Sequence, residues 1–75
     1  MLLELPIIKK DGKIEEYTIN ISNINYFRKW IGNKGELQTV MYFNGSEAKY
    51  LVINLPKDDI RDLILNTSKY LNDWW

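Results

Sequence analysis

A hydrolytic or group-transfer centre needs a nucleophile and a proton acceptor. This 75-residue chain holds no histidine and no cysteine, so the candidates shrink to Ser22, Ser46, Ser68, the lysines and the carboxylates. Ser46 follows Asn44-Gly45, a turn in which a serine hydroxyl bonds nearby backbone groups, and Ser22 and Ser68 fall in turn and helix-surface contexts. The paired carboxylates Glu15-Glu16 and Asp58-Asp59 would have to converge on a cleft to do acid–base work or to hold magnesium. Neighbours on a strand point to opposite faces, and Asp58-Asp59 has a sufficient role opposite the positive end of a helix dipole. The glycines are too sparse for a phosphate loop and do not precede a helix. Without cysteine there is no disulfide, thiolate catalysis or sulfur-ligated zinc, and without histidine the commonest metal ligand and proton shuttle is missing. The expectation is a chain that is not an enzyme and uses no cofactor or metal.

Two constellations carry binding chemistry instead. Tyr26-Phe27-Arg28-Lys29-Trp30 interleaves aromatic and basic side chains, with Lys34 just beyond. Tryptophan, tyrosine and arginine are the residues enriched at protein-binding hot spots, which makes Tyr26, Arg28 and Trp30 candidate partner contacts. The same run also matches a single-stranded nucleic-acid platform, in which Phe27 would stack on bases while Arg28, Lys29 and Lys34 meet phosphates. The bland alternative is an ordinary half-buried strand with one face in the core and the other in water. The second constellation is Trp74-Trp75. Two exposed indoles at a chain end would be unusual, so Trp74 is expected to continue a helix stripe and Trp75 to fold onto the domain edge or dock into another chain.

These residues must be positioned by a series of short elements. Leu3, Leu5 and Ile7 alternate as in a strand, and Pro6, lacking an amide donor, suggests an edge. Asp11-Gly12 predicts a hairpin into a second strand with Tyr17, Ile19 and Ile21 on one face. Ser22-Asn23 breaks that run before the third segment, whose two faces both carry aromatics. Gly32-Asn33-Lys34-Gly35 reads as a turn into a fourth strand, with Leu37, Thr39, Met41 and Phe43 sharing a face. Asn44-Gly45 predicts the last hairpin, into a strand that is the most central by composition. Pro56 with Asp58 and Asp59 marks a helix start, and Ile60, Leu63, Ile64, Thr67, Leu71 and Trp74 form its apolar stripe. The spacing predicts strands over about 2–8, 14–21, 24–31, 36–43 and 47–53 and a helix over about 56–73. The fold class is α+β: a four- to five-stranded antiparallel meander, as a sheet or small barrel, closed by one C-terminal amphipathic helix in a single domain spanning 1–75.

Charge and size limit the partners. Ten basic and ten acidic residues balance to zero, so no global field draws the chain to nucleic acid or an anionic membrane. Nucleic acid is the disfavoured partner. One small core supplies only about 3–5 kcal/mol, and with disulfides and metal absent, self-association is the remaining supplement. The apolar start Met1–Ile8 carries Glu4 and Pro6 and lacks a basic leader, so it reads as neither signal peptide nor membrane anchor. The lack of cysteine points to a cytoplasmic protein of a bacterium or virus.

Gly12 in a first hairpin, Asn20 followed by Ile24 and Phe27, Thr39-Val40-Met41 leading to Asn44-Gly45, and a last strand passing into a short helix together resemble the small flagellar and swarming motility proteins of the FlbD type over nearly the full length. The chain departs from them in its longer Lys29 to Gly35 connection and its aromatic tail. The pattern also resembles the DNA-binding domains of LytTR-type response regulators. The first resemblance implies a compact non-enzymatic regulator acting through protein contacts; the second implies DNA reading through basic loops. Small phage proteins that inhibit host enzymes or defence systems share this size and architecture. The functional expectation is a non-catalytic regulatory or inhibitory module that binds a protein partner and self-associates through Tyr26, Arg28, Trp30, Trp74 and Trp75. The rivals are a nucleic-acid binder and an oligomer with a small-ligand pocket between subunits.

Overall fold

Two hairpins of the same local geometry set most of the register. The computed structural model describes residues 1–45 and 49–72, with side chains up to residue 67; Ser46, Ala48, Trp74 and Trp75 lie outside the described residues, as do the side chains of Ser68 and Leu71. Strands β1 (Leu2–Ile8) and β2 (Ile14–Asn20) pair from Ile8↔Ile14 to Leu2↔Asn20. At their turn the Lys9 amide donates to the Lys13 carbonyl at 2.8 Å and the Gly12 amide to the Lys9 carbonyl at 2.9 Å. Gly12 sits at φ +85°, a left-handed angle glycine takes without a Cβ clash. Strands β3 (Ile24–Ile31) and β4 (Leu37–Phe43) repeat the device. There the Gly32 amide donates to the Glu36 carbonyl at 2.9 Å, and the Gly35 amide to the Gly32 carbonyl at 3.0 Å, with Gly35 at φ +81°.

The strand order is β2-β1-β5-β4-β3, with every neighbouring pair antiparallel and β5 (Tyr50–Ile53) in the centre as its composition suggests. The chain is thus an α+β fold of five antiparallel strands and one C-terminal helix. Strand β1, however, is not an edge: it pairs with β2 on one side and, through Ile7↔Ile53 and Ile8↔Val52, with β5 on the other. Pro6 is accommodated because its carbonyl accepts from Asn54 at 2.8 Å just past the end of β5. A residue's N–H and C=O point the same way in a strand, so the missing donor falls where β5 has already ended. Strand β2 ends one residue before the expected boundary, because Ile21–Asn23 turns into a 3-10 segment headed by Asn20, whose side chain accepts from the Ser22 amide. The described part of β5 starts at Tyr50 rather than at 47.

That 3-10 segment forces the sheet to coil. Strands β2 and β3 are opposite edges, about 19 Å apart on a flat sheet at ~4.8 Å per spacing. They are also displaced lengthwise: Asn20 is level with Leu2, while Ile24 is level with Phe43, beyond the other end of β5. Four Cα steps reach about 15 Å at most, so a flat arrangement is impossible. The junction shows the closure directly. Ile21 still donates to the Met1 carbonyl at 3.0 Å, and Asn23 already accepts from the Asn44 amide at 2.8 Å, stitching the start of β1 to the end of β4. The sheet remains open, because no ladder joins β2 to β3 among the described residues.

One side of the sheet, the side the helix covers, holds the core. Leu5, Ile7, Ile19, Met41 and Ile53 from the sheet and Ile60 from helix α1 (Lys57–Asn72) are buried, with Leu3, Tyr17, Ile24, Phe27, Phe43, Leu51, Leu55 and Ile64 packed around them. Each fully buried aliphatic side chain contributes about 1.5–3 kcal/mol of transfer free energy. The helix is anchored at its start, where the buried Thr39 hydroxyl donates to the Leu55 carbonyl at 2.8 Å. Asp58 and Asp59 occupy its first turn, as the helix dipole favours. Of the expected stripe, Ile60 is buried and Ile64 packs on the core, but Leu63 is 37% exposed. The helix packs chiefly on β3 and β4, and with Leu63 exposed its burying face is narrower than its apolar stripe. Among the described residues no helix is long and apolar enough to cross a membrane.

Candidate functional site: the outer face of β3, β4 and β5

The β3–β4 register fixes which residues share the outer face. A β-bulge between Ile24 and Tyr26 resets the alternation. From there Tyr26, Arg28 and Trp30 lie opposite Tyr42, Val40 and Gln38, and β5 continues the rows with Tyr50 opposite Tyr42 and Val52 opposite Val40. Three tyrosines from three strands therefore stand side by side. The Tyr26 and Tyr42 rings stack with centroids 4.5 Å apart at 21°, and Tyr42 meets Tyr50 at 5.9 Å and 47°. Each such cross-strand pair contributes about 0.5–1.5 kcal/mol beyond its buried area.

Arg28 ties this row to Trp30. Its guanidinium donates to the Tyr42 hydroxyl at 3.1 Å and lies 5.7 Å from the Trp30 ring centroid and 5.8 Å from that of Tyr42. Cation–π attraction at exposed sites is worth about 0.5–1 kcal/mol, enough to favour one direction for a long side chain. Val40, beside Arg28 in register, is only 2% exposed, whereas Tyr26 is 50%, Trp30 41% and Tyr50 56% exposed. The result is a floor shielded from water beneath presented rings. No carboxylate pairs with Arg28 among the described residues, and most of its five N–H donors face outward unused. An open groove of about 1630 Å³ is lined by Trp30, Tyr50, Ile8 and Val52 together with Lys9, Lys34 and Lys49 and the carboxylates Asp11 and Glu36.

The three partner contacts expected on β3, Tyr26, Arg28 and Trp30, are thus brought onto one face. The nucleic-acid set is split. Phe27 packs against the core, so its ring is not available to stack on a base; an alternating strand cannot put Phe27 and Arg28 on the same face. Lys29 is exposed but shares the parity of Phe27, and Lys34 sits in the turn. Tyr42 and Tyr50 were not among the sequence candidates. The signal for Tyr42 was present: the Gly32–Gly35 turn, once recognised, counts back to Tyr26 opposite Tyr42.

Three of the candidate chemical residues have local partners. The Ser22 hydroxyl donates to the Asn20 side chain at 2.8 Å. Glu15 pairs with Lys9 at 3.2 Å and Asp58 with Arg61 at 4.0 Å. Among the described residues no three metal-ligating side chains cluster. The fold and this face describe a small module built on a coiled five-stranded antiparallel sheet with one helix. No protein-family model, curated protein or solved structure matches the chain.

Proposed function

We propose that this chain is a small non-catalytic regulatory or inhibitory module that binds a protein partner and also self-associates. Its contact surface is the outer face of β3, with the Trp74-Trp75 tail as a second element. One observation carries the reading: Tyr26, Arg28, Trp30, Tyr42 and Tyr50 converge on one exposed face. Rigid aromatic rings lose little rotamer entropy on docking, and an arginine held by its neighbours is preorganised for hydrogen bonding to a carboxylate or a backbone carbonyl. A non-enzymatic regulator of this kind is what the FlbD-type resemblance implies, and a cytoplasmic bacterial or phage origin accords with it. Nucleic-acid binding of the LytTR kind is the weaker reading, because Phe27, Arg28, Lys29 and Lys34 do not share a surface.

The test is solution mass by light scattering across a dilution series for the wild type and for a Tyr26→Ala/Trp30→Ala/Trp75→Ala variant. Association that weakens in a variant with a native circular-dichroism spectrum supports the reading. Unchanged association in the folded variant removes it, and salt-sensitive binding of single-stranded DNA or RNA would transfer the face to the nucleic-acid reading.

A further inference from the structure

We infer that the aromatic face of one copy is covered by the outer surface of the β1–β2 hairpin of a second copy, with Arg28 meeting Glu4 and Glu16. This rests on the self-associating reading above and names the surface that Tyr26, Arg28 and Trp30 dock against.

The β1–β2 register builds that surface. Leu5, Ile7 and Ile19 are buried in the core, so by alternation Leu2, Glu4 and Ile8 on β1 and Ile14 and Glu16 on β2 turn outward. Two features are left without a partner there. Leu2 is 65% and Ile14 56% exposed, although both are large aliphatic side chains. Glu4 and Glu16 are exposed, none of the outward residues of Leu2–Ile8 and Ile14–Asn20 is a lysine or arginine, and neither carboxylate forms an ion pair among the described residues.

The outer surface of β3, β4 and β5 is its complement. Arg28 is the one charged side chain between the row Tyr26, Tyr42, Tyr50 and the pair Trp30, Gln38, and no described carboxylate pairs with it. One surface holds exposed rings and a cation without an acid. The other holds exposed aliphatic side chains and two carboxylates without a base. Docking the two excludes water from Arg28 and its acceptors, where charge-assisted hydrogen bonds are short and strong, and sets the Tyr26 and Trp30 rings against Leu2 and Ile14.

The two surfaces do not meet within one chain. The register runs Ile14, Ile8, Val52, Val40, Arg28 across all the strands, so four strand spacings, about 19 Å along the sheet, separate the edge that carries Glu16 from the edge that carries Arg28. A second copy supplies the contact. The other described carboxylates are already engaged or lie among bases. Glu15 pairs with Lys9 and Asp58 with Arg61, Asp11 accepts from the Lys13 amide at 2.9 Å, and Glu36 lies against Gly32 and accepts from Gln38 at 3.4 Å. Asp59 and Asp62 share the start of the helix with Lys57 and Arg61. Glu4 and Glu16 alone stand on an exposed apolar surface without a cation.

Exchange of charge on the full chain tests this. Arg28→Glu alone, and Glu4→Lys/Glu16→Lys alone, should each weaken association by about 30-fold or more in a light-scattering dilution series, as breaking a desolvated charge pair does. The chain carrying all three changes should recover most of that loss, because the attraction returns with its signs exchanged. Ile14→Ser changes no charge and lies outside the aromatic face; it should weaken association with the circular-dichroism spectrum retained, and it keeps the test decisive where a charge variant fails to fold. Association at wild-type strength in folded Glu4→Lys/Glu16→Lys and Ile14→Ser chains, beside a loss in the Tyr26→Ala/Trp30→Ala/Trp75→Ala variant, overturns the docking on β1–β2 and leaves the aromatic contact face standing. No recovery in a folded chain with all three charge changes also overturns it. A wild type that stays monomeric throughout the dilution series overturns both.

Discussion

Replacing Thr39 with valine removes one hydroxyl and almost no volume, which isolates the bond that anchors the helix to the sheet. Thr39 is fully buried, and its hydroxyl donates to the Leu55 carbonyl at 2.8 Å. That carbonyl has no helical donor: the amides of Asp59 and Ile60 both go to the Pro56 carbonyl, at 3.1 and 3.3 Å. Valine keeps the β-branched shape that suits a strand and opens no cavity, so the change in stability measures the bond and the acceptor left behind. A typical intramolecular hydrogen bond contributes about 0.5–1.5 kcal/mol net, and a stranded buried acceptor adds about 1–3 kcal/mol. Leu55 is only half-buried, so water reaches its carbonyl at part of that cost and the expected loss is about 1–2 kcal/mol. For a domain of this size each kcal/mol lowers the melting temperature by roughly 4–8 °C. Urea unfolding followed by circular dichroism, with the m-value checked for constancy, reads the change. A Thr39→Val variant as stable as the wild type would refute the reasoning and place the helix anchor in the apolar contacts of Ile60 and Ile64 alone.

Two further outcomes follow from the same structure. Gly12→Ala and Gly35→Ala introduce a side chain at φ +85° and +81° into open space, so each should destabilise by about 1 kcal/mol from backbone strain alone, measured as a lower urea midpoint at unchanged m-value. Tyr42→Phe keeps the ring that stacks on Tyr26 but removes the hydroxyl that holds Arg28; stability should fall by less than about 1 kcal/mol, while self-association, read by light scattering, weakens because Arg28 is no longer preorganised.

How far each feature was legible depended on how local its cause is. The Asp11-Gly12 and Gly32–Gly35 turns were readable because a left-handed backbone angle is required within a few residues and glycine supplies it. Strand alternation was readable for the same reason: it set Leu5 and Ile7 inward and parted Phe27 from Arg28, while the bulge between Ile24 and Tyr26, which carries Ile24 to the core side, was not legible. The outward set Tyr26, Arg28 and Trp30 was found, whereas the Tyr42–Tyr50 half of the same face was missed, since it belongs to two other strands and emerges only when they pair.

Local signals were enough to give the element types, the α+β class, the centrality of β5 and the lack of histidine and cysteine chemistry. It took long-range packing to place β1 between β2 and β5 despite Pro6, to coil the sheet through a three-residue 3-10 segment, and to leave Leu63 exposed while Ile60 is buried. The physical reason is range. Turn angles and side-chain parity are set by neighbouring residues, but pairing between Ile7 and Ile53, and the row of rings from Tyr26 to Tyr50, are settled by contacts between segments far apart in the chain, where each partner's choice depends on all the others.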